Sequence, residues 1–154
     1  MQTDKNLKKV RIMADYQFGK GSGTALFDDD VSFQYSKTKR VRQIVHNGDR
    51  IATVRAKDGI FTLSIKGATR LHSHLPWPNM RVVIHPEAKP FVSTGKTAFA
   101  KHVIDIDPQL RVGEEVLVVD SEDNLLATGQ LMMNPNEILG IDRGPAVDVR
   151  LGIK

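Results

Sequence analysis

Residues 75–79, Leu-Pro-Trp-Pro-Asn, limit the possible folds more than any other stretch of the chain. Each proline lacks an amide proton, fixes its own φ and biases the residue before it away from the helical region. No helix or central strand runs comfortably through such a stretch, so the chain is expected to divide here into residues 1–78 and 79–154. Charge divides at the same place. Residues 1–78 hold 14 Lys and Arg against 7 Asp and Glu, whereas residues 79–154 hold 8 against 11. A basic first half favours an anionic partner, of which nucleic acid is the commonest. A basic domain without such a partner is the alternative that charge alone leaves open.

In the first unit, Leu7, Val10, Met13 or Ala14, and Phe18 fall on one helical face, with Thr3 or Asp4 as the expected cap and Gly19 as the stop. Gly19 to Gly23 reads as a flexible connection. Four strand signals follow: Val31, Phe33 and Tyr35 in alternation, then Val41 to Val45, Ile51 to Arg55, and Ile60 to Ile65. Asn47-Gly48 accepts positive φ and predicts a hairpin between the second and third strands, and Lys57-Asp58-Gly59 predicts another turn. Gly67 to Leu75 reads as a short helix, completing a helix, a four-stranded antiparallel meander and a helix.

The second unit reads as short strands with frequent turns. Arg81 to His85, Val116 to Val119, Leu125 to Met133 and Ala146 to Leu151 are expected strands. Pro86 to Val92 is an expected helical turn, Thr97 to Val103 a short helix with Phe99 in the core, and Asn134 to Leu139 a short helix starting at Pro135. Such punctuation suggests a small closed or half-open barrel.

At 40% hydrophobic and 26% charged residues, the chain is too apolar for disorder. It has no Cys, which removes disulfides, thiol nucleophiles, Cys-based zinc sites and iron–sulfur clusters. No run is long enough to span a membrane and the N-terminus lacks an apolar signal core, so a cytoplasmic location is expected.

Four segments of the second unit carry a family resemblance: Gly95-Lys96-Thr97-Ala98-Phe99-Ala100-Lys101-His102-Val103, residues 112–120, Leu125-Leu126-Ala127-Thr128-Gly129, and Arg143-Gly144-Pro145-Ala146-Val147. Together they resemble a PUA domain, a small RNA-binding pseudo-barrel. Upstream, Asp15-Tyr16-Gln17-Phe18-Gly19, the loop Ser36 to Arg42 and residues 55–63 resemble the domain that precedes PUA in archaeal tRNA-guanine transglycosylases, which begin archaeosine formation. The resemblance implies an α+β protein: a small pre-PUA domain over residues 1–78, then a PUA pseudo-barrel over residues 79–154. The family's catalytic (β/α)-barrel needs far more than 154 residues, and its zinc site needs cysteines. By resemblance the chain is therefore a non-catalytic RNA grip, with no cofactor. Its expected partners are tRNA or another structured RNA, together with a separate catalytic transglycosylase subunit. A free-standing RNA adaptor and a protein–protein module are the alternatives.

The resemblance assigns Gly95, Lys96, Thr97, Ala98, Lys101, Arg143 and Gly144 to the RNA face, and His102 is placed to stack or donate beside them. Lys96-Thr97-Ala98 and His102 depart from the Arg-Asn-Val and second aromatic common there. Gly95 lets backbone approach a nucleotide, and amides opening a helix after it would favour an anion. In the first unit Lys37, Lys39, Arg40 and Arg42 surround one loop and are expected to meet phosphate, or else to solvate a hairpin. Asp28-Asp29-Asp30 is read as a solvated turn rather than a magnesium site. His72 and His74, with His85 or His102, are read as ordinary surface histidines rather than zinc ligands. No metal and no catalytic residues are assigned.

Overall fold

A computed structural model describes residues 2–154. The chain forms two units, Met1–Leu75 and Pro76–Lys154. The Trp77–Pro78 peptide bond is cis.

The first unit opens with helix α1 (Gln2–Phe18), followed by α2 (Ser22–Leu26), β1 (Ser32–Tyr35), β2 (Val41–His46), β3 (Asp49–Val54), β4 (Phe61–Leu63) and α3 (Ile65–His74). The four strands form an antiparallel sheet in sequence order. Val10 and Ala14 of α1 are buried, whereas Thr3 and Asp4 lie inside its first turn rather than at its cap. The expected flexible connection is shorter than predicted, because Ser22 already opens α2. Gly23 lets that helix seat on α1: a Cβ there would stand 2.2 Å from the Arg11 carbonyl oxygen. The core gathers Leu26, Phe27, Ile44, Ile51, Phe61, Leu63 and Leu71, all fully buried. The rings of Phe27 and Phe61 meet at 5.5 Å between centroids, tilted by 56°.

The edge of this sheet is covered by a side chain. Gln17 of α1 accepts from the Phe61 amide at 2.8 Å and donates to the Phe61 carbonyl at 3.0 Å, supplying β4 with the partner a neighbouring strand would give. Ser64 caps α3 by accepting from the Gly67 amide at 3.1 Å, and its hydroxyl donates to Ile51 in β3 at 3.0 Å.

The second unit comprises β5 (Arg81–Ile84), a 3₁₀ turn (Pro86–Ala88), α4 (Lys89–Val92), β6 (Ala98–Phe99), a 3₁₀ turn (Ala100–His102), β7 (Val103–Ile106), β8 (Glu115–Val119), β9 (Leu125–Leu131), α5 (Pro135–Ile138) and β10 (Pro145–Gly152). Its sheet runs β6-β10-β9-β8-β5-β7, antiparallel except for the parallel β5–β8 pair. The two edge strands, β6 and β7, are separated in sequence by the one 3₁₀ turn Ala100–His102. The sheet must therefore curl until its edges nearly meet, which gives the half-open barrel anticipated above.

Two expectations fail here. Residues 97–103 form no helix, but a two-residue strand, a 3₁₀ turn and the start of β7. Pairing with β10 takes up the backbone of Ala98 and Phe99, which overrides the local helical pattern. In a strand successive side chains point to opposite faces. Ala98 is accordingly buried, while Phe99 is 44% exposed rather than in the core. Among the described residues, no helix is long and apolar enough to cross a membrane.

Candidate nucleic-acid interface

In the second unit, the turn after α4 places the predicted binding residues. The Phe91 carbonyl accepts from the Thr94 amide at 3.2 Å, the Lys96 amide at 3.1 Å and the Thr94 hydroxyl at 2.7 Å. This tight reversal needs Gly95 at φ 103, and space beyond its Cα is open. It leaves Lys96 exposed beside a cleft of about 240 Å³. Ala88 and Val92, both buried, form the cleft's base. Phe91 and Phe99 rim it at 62% and 44% exposure, with Thr97 and the half-buried His102 completing the lining.

Strand pairing brings the second predicted segment to the same place. Pro145 pairs with Phe99, and the Ala100 amide donates to the Gly144 carbonyl at 2.9 Å. Arg143 is exposed beside this pair. Lys101 faces a different depression, of about 440 Å³, which it shares with Leu139, Ile141 and Asp142. The structure thus brings Lys96, Thr97 and His102 together around one cleft and sets Lys101 at its neighbour. The side chain of Ala98 is fully buried and cannot touch a ligand. No helix N-terminus follows Gly95, so the expected cradle of helix amides is absent.

In the first unit, Lys37, Lys39, Arg40 and Arg42 are all exposed around the β1–β2 loop. That loop is held by Ser36, whose amide donates to the Arg40 carbonyl at 2.8 Å and whose carbonyl accepts from the Lys39 amide at 2.9 Å. Antiparallel order puts the β1–β2 and β3–β4 loops at the same end of the sheet. Between them lies a groove of about 650 Å³, with Arg40 and Arg42 on one wall and Arg55, Lys57 and Asp58 on the other. Asp58 is occupied by Arg55, which donates from Nε at 3.0 Å and holds the carboxyl below the usual carboxylate range. Lys39 lines a separate hollow with Lys9 and Tyr35. Among the described residues no carboxylate pairs with Lys37, Lys39, Arg40, Arg42 or Lys57. Lys57 was legible only through topology, because it joins the patch from the third loop of a meander.

The acidic turn Asp28–Asp30 is solvated at Asp29 and Asp30, as expected, and is also engaged in ion pairs. His46 Nε2 lies 3.1 Å from Asp28 and 2.9 Å from Asp30, Arg70 bridges to Asp28 at 2.9 Å, and Arg11 bridges to Asp29 at 2.9 Å. Asp28, Asp30 and His46 bring possible ligand atoms within 4.8 Å of one another, but Arg70 already pairs with Asp28, and Lys66 and Arg70 both crowd His46. His74 donates to the Lys20 carbonyl at 3.1 Å, and His85 caps the 3₁₀ turn by accepting from the Glu87 amide at 3.1 Å. His46, His74 and His85 therefore each have a local structural task.

The curled β sheet of the second unit carries a Gly-hinged turn and a cleft rimmed by Phe91, Phe99 and Lys96, and residues 80–153 match the PUA domain family. Residues 8–78 match the patch-forming domain C2 of tRNA-guanine transglycosylase. Over nearly its whole length the chain is therefore similar to a part of the archaeal tRNA-guanine transglycosylases, with a C2-like unit followed by a PUA-like unit. The tRNA-guanine(15) transglycosylase of Pyrococcus furiosus is 48% identical over 145 residues, covering 94% of this chain and 24% of that protein. That of Methanothermobacter thermautotrophicus is 43% identical over 148 residues, covering 96% and 23%. The chain thus spans about a quarter of the length of these relatives. A solved structure of a hypothetical protein from Pyrococcus horikoshii shares the fold, with a TM-score of 0.73 at 19% identity, covering 97% of this chain and 91% of that one.

Proposed function

We propose that this chain is a tRNA-binding accessory subunit of an archaeosine-type transglycosylase, holding the acceptor stem and its 3′ end while a separate chain exchanges the base. The observation that carries this reading is the pairing of a C2 domain with a PUA domain, in that order, at 48% identity to a tRNA-guanine(15) transglycosylase. The geometry supports it in two ways. The groove of the first unit offers unpaired cations for phosphate, and the cleft of the second offers flat apolar rims and a lysine for a single-stranded end. Its place of action would be the cytoplasm, where tRNA is found.

Gel shift of the full chain with tRNA, intact or lacking its 3′ single-stranded end, tests the grip. Binding that weakens on removal of the 3′ end and falls steeply with salt supports the reading. A chain that binds no RNA at any salt concentration overturns it. Guanine exchange should occur only when a catalytic partner is added. Exchange by the purified chain alone would make it an enzyme in its own right.

A further inference from the structure

We propose that the hollow between α1 and the β1–β2 loop of the first unit binds one nucleotide, its phosphate met by Lys9, Lys39 and Arg40 and its base laid against Tyr35. The site is separate from the groove between the two hairpin loops, although Arg40 borders both. It does not need the tRNA-grip reading in order to hold.

Three observations lead to it. The first is composition. The hollow measures about 520 Å³, within the range of pockets that take small organic ligands. Buried Val10 and the half-buried Met13, Val41 and Val54 make its apolar base, while Lys9, Lys39 and Arg40 stand exposed at its border. Among the described residues no carboxylate lines the hollow, and no ion pair engages any of the three cations. A small inorganic anion would leave the apolar base unused, and an uncharged apolar ligand would leave the cations unused. A nucleotide uses both, because its base has a π-face and its phosphate is anionic.

The second observation is an unspent donor. Asn6 is only 6% exposed and borders the hollow. Its Oδ1 accepts from Gln2 at 3.3 Å, which orients the amide, and its Nδ2 donates to the Tyr35 hydroxyl oxygen at 2.9 Å. The phenol is thus the acceptor in that bond, and its own proton has no acceptor among the described residues. The Tyr35 ring is 49% exposed on the wall of the hollow, so it offers a flat face and a free O–H donor at one place.

The third is backbone. Lys39 has a φ of 65°, in the left-handed region that glycine or asparagine usually fills in a hairpin loop. Its ammonium makes no hydrogen bond or ion pair among the described residues that would offset the strain. Strain kept without a structural return points to use of the side chain.

Calorimetric titration of the full chain with adenosine 5′-monophosphate, adenosine and inorganic phosphate tests the site. The monophosphate should bind about tenfold or more tightly than either half alone, since only it engages ring and cations together. Tyr35→Phe keeps the ring but loses the proton, and should weaken monophosphate binding by about tenfold, the scale of a hydrogen bond to a charged group. Lys39→Gly should weaken it comparably while the melting temperature holds or rises, because glycine accepts this φ without strain. Wild-type affinity in both variants would overturn the proposal. So would a wild-type chain that binds no monophosphate, or one that binds inorganic phosphate just as tightly. A free nucleotide and a nucleotide turned out of an RNA strand share this chemistry, and competition separates them. Displacement of the monophosphate by a single-stranded oligoribonucleotide identifies RNA as the source, whereas a monophosphate that stays bound at saturating RNA identifies the free nucleotide. Loss of the site with the tRNA gel shift intact would leave the accessory-subunit reading standing. A chain that takes the monophosphate but no tRNA would keep the site and lose that reading.

Discussion

At the scale of single residues, burial separates the charges that hold the fold from those available to a ligand. Arg81 has a side chain only 2% exposed, yet it carries a full charge. Its Nε donates to Asp123 at 3.2 Å and its Nη1 to the Asn79 carbonyl at 3.0 Å, so the guanidinium is compensated where it lies. Arg81→Met keeps the apolar stem but leaves these acceptors without their donor. It should destabilise the protein by about 3 kcal/mol, the lower end for breaking a buried pair, because Asp123 retains some access to water. Urea denaturation checks this as a lowered midpoint at unchanged slope. Lys96 is the opposite case. It is exposed and unpaired, so Lys96→Glu should leave the melting temperature unchanged and weaken RNA binding by about tenfold through like-charge repulsion. Equal affinity in that variant would remove Lys96 from the interface. Phe99 marks where residue-level reading reversed. A helical spacing puts residues 98, 99 and 103 on one apolar face, whereas the strand puts Ala98 inward and Phe99 outward.

At the scale of elements, what was legible in the chain was whatever local chemistry decides. Asn47 and Gly48 take φ values of 53° and 83°, as the hairpin between β2 and β3 demands, and the meander follows from that turn and from alternation. Pro135 opens α5 where its ring is harmless. Illegible were the elements that exist only through distant partners. Strand β6 is two residues long and is a strand because β10 lies beside it, and β7 completes the sheet by pairing with β5. The same cause hid half of each candidate site: Lys57 and Phe99 join their surfaces through pairing, not through neighbours in sequence. The β8–β9 connection offers a test of local chemistry against burial. Burial opposes ionisation of Asp120. The Asn124 amide and side chain, Lys89 and the Glu122 amide outweigh it and hold the carboxyl below the usual carboxylate range. A carboxyl lowered in the folded state stabilises at pH above its unfolded value, about 4, and loses that contribution as pH falls through the lower folded value. Denaturation midpoints should therefore drop on acidification below about pH 4, and Asp120→Asn should flatten part of that drop. An unchanged acid limb in the variant would show that other carboxylates set it.

At the scale of the whole molecule, the uneven charge decides how much each unit contributes to binding a polyanion. The first unit holds the excess of Lys and Arg, whereas the second is net acidic and presents cations only as a local patch around its cleft. Long-range attraction should therefore come from the first unit and selection of a single-stranded end from the second. Salt titration separates these roles, because each phosphate neutralised by a side chain adds roughly 0.7–0.9 to the slope of log affinity against log salt. Arg40→Gln with Arg42→Gln should lower that slope by roughly 1.4–1.8, while leaving the preference for a 3′ overhang over a blunt end untouched. Phe91→Ala with Phe99→Ala should do the reverse, erasing the preference at constant slope, since stacking releases no counterions. If both pairs of substitutions changed slope and preference together, the two surfaces would not be dividing the work, and charge asymmetry between the units would carry no functional meaning. If instead the arginine variant kept the wild-type slope, phosphate would be met elsewhere, and Lys57 with Lys9 would be the next cations to neutralise.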